Sequence, residues 1–102
     1  MASCASCSMP LENIADIGGT VPQGQICIHC ADQHGALRSA IEVFEGGVQF
    51  FMSIDPSSNR LLAERLTRRN MKLQPCWQDS DASCLLGEQA SDAEFAAMFA
   101  RL

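Results

Sequence analysis

The chain has 102 residues, a formal charge of −5 and 19% charged residues. That length is one domain's worth, with a core that buries only a modest share of the surface. The acidic balance argues against general nucleic-acid binding, in which phosphate neutralisation supplies most of the affinity. No run approaches the roughly 18 consecutive apolar residues of a membrane span. No targeting segment is visible either, so the expected compartment is the cytoplasm.

Residues 1–36 read as a metal module. Cys4 and Cys7 stand in C-A-S-C, and Cys27 and Cys30 in C-I-H-C, with residues 8–26 between the couplets. A C-x-x-C turn aims both sulfurs at one point. Two such turns at this separation supply the four thiolates of a structural zinc site, one ion per chain, with no position left for water or substrate. Iron also sits in a tetrahedron of four sulfurs and is the less favoured metal. A secreted disulfide framework lacks its export signal, and covalent haem would need His where Ser8 and Ala31 stand. A thioredoxin-like pair needs a preceding strand, for which Cys4 lies too close to the start of the sequence. His29 and His34 lie beside the second couplet, but four cysteines make them unnecessary as ligands. Within the module Gly18-Gly19, Pro22 and Gly24 read as turns, and Gln25 to Ile28 as a short strand entering the second couplet. With four thiolates and one divalent ion the net charge becomes about −7.

Residues 37–77 read as a helical hairpin. Ser39-Ala40-Ile41-Glu42 is a capping box that starts a helix. Ile41, Phe44, Val48 and Phe51 form one apolar stripe at helical spacing, and Val43, Gly47, Phe50 and Ile54 a second. Gly46-Gly47 in mid-helix costs about 1 kcal/mol per glycine relative to Ala, which calls for a reason such as close approach of another backbone. The second stripe is therefore either buried within the domain or a dimer interface. Asp55-Pro56 predicts the N-cap and first residue of a second helix, with Leu62, Ala63, Leu66, Arg69 and Leu73 on one side. Residues 60–72 carry a local charge of +4 against −9 for the remainder. Their flank of Arg65, Arg68 and Lys72 is either a solvated face or a docking stripe. Trp77 reads as a plug over the helices or the metal module.

Residues 78–90 read as a linker, followed by a short helix with a second capping box at Ser91 to Glu94. Its apolar stripe is Phe95, Met98, Phe99 and Leu102, and a helix this short must dock to be stable. Cys76 and Cys84 remain outside the metal site. They are either two ordinary thiols or a redox pair whose oxidation would lock the tail to the hairpin.

Several motifs together, C-A-S-C-S-M-P, Gly18-Gly19, C-I-H-C-A-D, Gly35-x-Leu37-x-Ser39, Val43-x-Glu45-Gly46, Phe51-Met52, Asn70-Met71-Lys72 and Pro75-x-Trp77, resemble a bacterial family of small zinc-ribbon proteins. The resemblance covers about residues 4–77. It implies a cysteine-couplet ribbon followed by a helical hairpin, with Cys4, Cys7, Cys27 and Cys30 as metal ligands. This chain departs from the family at Ser8, where members carry Gly, and at Cys76, where the motif has Ala. Gly tolerates a positive φ that costs Ser, so the first knuckle is expected to be either slightly strained or differently turned.

The expected fold is a small α+β domain: an N-terminal zinc ribbon over 1–36, a helical hairpin packed on it over 37–77, and a linker with a short amphipathic helix over 78–102. No nucleophile–base order, phosphate loop or carboxylate pair is visible, so no enzyme is expected. The expected function is that of a zinc-binding adaptor or regulatory module contacting another protein or itself. Its surface would be the second stripe (Val43, Gly47, Phe50), the basic flank or the terminal helix. The alternatives are a nucleic-acid-associated ribbon using Arg65, Arg68 and Lys72, and a thiol-redox or metal sensor using Cys76 and Cys84.

Overall fold

A computed structural model describes residues 2–57 and 59–102. Among the described residues the chain is a small α+β protein with three α-helices and two antiparallel sheets of two strands each. Strand β1 (Ala2–Ser3) pairs with β2 (Pro10–Leu11), so the first couplet is the loop of a tiny hairpin. Strand β3 (Ile17–Val21) pairs with β4 (Gly24–Cys27), which ends on the second couplet as the sequence predicts.

Gly18 and Gly19, expected as a turn, lie inside β3 instead. A Cβ on Gly18 would sit 2.6 Å from the Ala31 Cβ, and one on Gly19 would collide with the Gly35 backbone. The pair is glycine because the loop after the second couplet crosses directly over the strand. The register of the β3–β4 pair shifts there, between Ile17 and Gly19.

Helix α1 spans Ala40–Ile54 and starts with the predicted capping box: Ser39 Oγ accepts from Glu42 N, and the Glu42 carboxylate accepts from Ser39 N, both at 3.3 Å. Phe44, Val48 and Phe51 are buried, but Ile41, assigned to the same stripe, is half exposed. Helix α2 (Arg60–Lys72) begins later than Asp55-Pro56 implies. Asp55 closes α1 and turns the chain, its carboxylate accepting from Ser57 N (3.1 Å) and Ser57 Oγ (2.6 Å). Asn59 then caps α2, its Oδ1 accepting from Leu62 N at 2.8 Å. Ala63, Leu66, Thr67 and Met71 form the buried side of α2, while Leu73 is exposed. Where the glycine pair suggests another backbone, Gly47 instead faces the side chain of Thr67 on α2.

Residues 78–90, expected as a linker, are anchored on the hairpin at several points, among them the carbonyls of Ser80, Cys84 and Glu88. Leu85, in a 3-10 turn at Ser83–Leu85, is buried between α1 and α2. Ala90 N donates to Arg65 O at 3.1 Å. Helix α3 (Asp92–Phe99) carries the second capping box and docks through buried Met98 and an edge contact of Phe99 on Phe51, with ring centroids 5.8 Å apart. Leu102, expected on that stripe, is exposed at the end of the chain. Buried side chains from the couplets, both long helices, Trp77 and the tail form one contiguous cluster.

Candidate metal centre

The sulfurs of Cys4, Cys7, Cys27 and Cys30 all lie within 4.8 Å of one another, and no other group of three or more His, Cys, Asp or Glu suited to a metal occurs among the described residues. Cys7 Sγ and Cys27 Sγ are 3.7 Å apart. A tetrahedron with metal–sulfur bonds of about 2.3 Å has edges of about 3.8 Å, so a single ion fits between these thiols. His29 and His34 are exposed and outside the cluster.

Each couplet is built by its own backbone. In the first knuckle Cys4 N donates to Met9 O (2.8 Å) and Ser8 N to Cys4 O (2.9 Å). In the second, Cys30 N and Ala31 N both donate to Cys27 O at 3.1 Å. The Asp32 carboxylate closes the following loop by accepting from His34 N (2.8 Å) and Ala36 N (3.0 Å), bonds that hold its pKa below the usual value. The knuckles are joined by Ala5 N donating to Gln25 O at 2.9 Å.

The electrostatics favour the thiolate on two of the four sulfurs, Cys4 and Cys27. Cys27 N (3.2 Å) and Ser6 N (3.4 Å) donate to Cys4 Sγ. Hydrogen bonding among the sulfurs, with Cys27 first and then Cys30 and Cys7, also holds Cys4 far below an ordinary thiol. The Cys30 thiol does the same for Cys27, lowering it to about 6. Cys7 and Cys30 are pushed up, each holding its proton in a bond to Cys27 first. A bound dication would replace those two protons as counter-charge to the four sulfurs.

The end of the helical hairpin supports the first knuckle. Asn70 Nδ2 donates to Cys7 O (3.1 Å), Cys76 N to Ala5 O (3.1 Å) and Trp77 Nε1 to Ser6 Oγ (2.9 Å). Trp77 therefore seals the metal module, one of its two expected roles. Ser6 and Asn70 were not singled out from the sequence as supports of the site. Asn70 had a signal, since Asn70-Met71-Lys72 is one of the quoted motifs, but Ser6 had none beyond its place inside the couplet. Ser8 has φ 69°, the left-handed region that Gly would occupy without strain. Its Oγ donates to Asn70 Oδ1 at 3.3 Å.

The remaining candidate residues fall elsewhere. Arg65 makes two bonds to the Glu94 carboxylate (2.7 and 3.0 Å). Arg68 donates to Cys84 O (3.1 Å) and Glu88 O (3.2 Å) and stacks over the Phe44 ring. Lys72 donates to Ser80 O at 3.0 Å. The basic flank thus clamps the tail onto the hairpin. Cys76 and Cys84 are half-buried free thiols, and burial pushes the Cys76 thiol up, away from a reactive thiolate. In the second stripe Val43 is buried and Gly47 lies against Thr67, but Phe50 is half exposed. Phe50 borders an apolar groove of about 760 Å³ that runs from Cys7 to Pro10 along α1 to Phe99 and Leu102. Among the described residues no helix is long and apolar enough to cross a membrane. No known family model matches this chain, and no curated protein or solved structure matches it either.

Proposed function

We propose that the protein is a zinc-stapled, non-enzymatic module that works by contact with another protein, and that it is a divergent relative of the bacterial zinc-ribbon family it resembles. The observation that carries the metal is the closed set of four sulfurs with amide N–H groups already aimed at Cys4. Zinc suits a four-sulfur tetrahedron and needs no redox partner. With all four positions taken by cysteine, the ion has no open site for a substrate, so its work is to hold the fold. In zinc-finger peptides such a site contributes on the order of 10 kcal/mol to folding. That matters in a chain whose knuckles have strands of two to five residues. Six free thiols suit a reducing compartment, and we place the protein in the cytoplasm.

The contact surface in this reading is the open face of α1. The basic flank and the terminal helix are turned on each other, which leaves that groove as the broad apolar surface. Grooves lined by apolar side chains with a few polar groups are where partners and ligands bind.

Native mass spectrometry with and without chelator tests the metal. One zinc per chain is expected, lost together with the fold on chelation. Cys4→Ser should lose the ion and His34→Ala should keep it. Iron in the purified protein, or a metal removed with the fold intact, would overturn the structural-zinc reading.

A further inference from the structure

Helix α1 carries a hole and a knob one turn apart on its open face. The hole is Gly46: a methyl group placed there meets nothing within 4 Å among the described residues, so no contact within the described chain explains this helix-weakening glycine. Its neighbour Gly47 differs, because Thr67 occupies the space beside it. The knob is Phe50, 49% exposed on the wall of the groove. Residues four apart on a helix lie on one side of it, so Gly46 and Phe50 face solvent together.

We infer that this face binds a second copy of the chain, α1 against α1 antiparallel about a two-fold axis between Gly46 and Phe50, so that each Phe50 fills the hollow over the partner's Gly46. A two-fold contact demands a surface complementary to itself, and a knob and a hole on one stripe meet that demand. The charges agree. The ionisable side chains lining the groove, apart from the cysteines, are Glu42 and His29, and Glu42 already pairs with Arg38 at 3.5 Å. The groove offers no lysine or arginine for an acidic partner and little net charge for two copies to repel. Gln49, one residue from the axis on the same side, both donates and accepts hydrogen bonds, so it can pair with its own image. From Glu42 to Ser53 the face runs about 16 Å, three helical turns.

The inference rests on the reading of the protein as a contact module. It is tested by sedimentation equilibrium of the full, metal-loaded chain in a concentration series up to about 100 μM. A dimer is expected. Phe50→Ala and Gly46→Leu should each raise its dissociation constant at least about thirtyfold, with helical content unchanged by circular dichroism. Gly46→Ala should raise the monomer's melting temperature yet weaken the dimer, an opposition that an ordinary surface glycine would not produce. A chain that stays monomeric throughout the series overturns the inference. So does a dimer indifferent to all three substitutions. If the monomer, once immobilised, retains a different protein that the Phe50→Ala chain does not, the contact-module reading survives and only the identity of the partner was wrong.

Discussion

The indole N–H of Trp77 donates to the hydroxyl of Ser6 at 2.9 Å, across 71 positions of sequence, and both residues are buried. Ser6 lies inside the first couplet, between Cys4 and Cys7, so this bond joins the end of the hairpin to the backbone that aims two of the sulfurs. Ser6→Ala would leave a buried indole N–H without an acceptor, at a cost of about 1–3 kcal/mol. A urea titration at saturating zinc should show that loss. Trp77 fluorescence should shift to the red on chelation in both chains, and at a lower chelator concentration in the variant. An unchanged chelator response would show that the knuckle does not need the tryptophan.

Ser8 tests strain in the same knuckle. Its φ of 69° costs an L-residue about 1–2 kcal/mol, which glycine avoids. Glycine, however, adds backbone freedom to the unfolded chain and gives up the 3.3 Å bond to Asn70. The gain and the loss nearly cancel, with Ser8→Gly expected to stabilise by about 0.5 kcal/mol. Ser8→Val should destabilise by about 2 kcal/mol, because a β-branched side chain tolerates positive φ poorly. Urea midpoints of the three zinc-loaded chains measure the order. A valine variant as stable as the parent would remove the strained conformation.

What the sequence revealed was mostly local. The C-x-x-C turns, the boxes at Ser39 and Ser91 and the strand into Cys27 each depend on residues within one turn, and each appears where it was expected. The second helix start failed because two cap signals, Asp55 and Asn59, lie within five residues, and only the reversal of the chain selects between them. Gly18-Gly19 has the composition of a turn, and nothing local reveals that Gly35 crosses over it. The basic flank looked unpartnered because its partners are carbonyls and carboxylates 8 to 29 positions away, with no periodicity to betray them.

The Arg65–Glu94 pair makes attachment of α3 depend on pH. Arg65 first, then the Ser91 backbone N–H, hold the Glu94 carboxyl down at about 2, from 4.5. A carboxyl depressed in the folded state lends stability that is complete above its unfolded pKa and fades as pH falls from about 4.5 towards 2. Glu94→Gln keeps the capping geometry but removes the charge facing Arg65. Hydrogen exchange over residues 92–99 should be faster in this variant than in the parent at neutral pH, with the zinc site intact. The difference should narrow as the pH drops below 4.5. Equal protection at neutral pH would mean that Phe99 and Met98 hold the helix without the ion pair.

Two adjacent glycines of α1 should respond to alanine with opposite signs. At Gly47 the new Cβ would lie 2.6 Å from Thr67 Cγ2 on the facing helix α2. The helices must part or Thr67 must move, and overpacking of this kind costs about 1–3 kcal/mol. Thr67 is itself constrained, because its hydroxyl donates to Ala63 O at 2.7 Å and it is buried. Thr67→Ser deletes the methyl group in question and keeps the hydroxyl, so it should recover most of the loss in the double variant while costing little alone. At Gly46 there is no such neighbour among the described residues, and alanine should stabilise the folded chain by about 1 kcal/mol through helix propensity. Thermal melts at low protein concentration, where self-association does not contribute, give both values. If Gly47→Ala proves as favourable as Gly46→Ala, the helices do not cross where Gly47 meets Thr67. A Gly47→Ala loss that Thr67→Ser leaves unrepaired would trace the cost to the backbone of α2 and not to the methyl group.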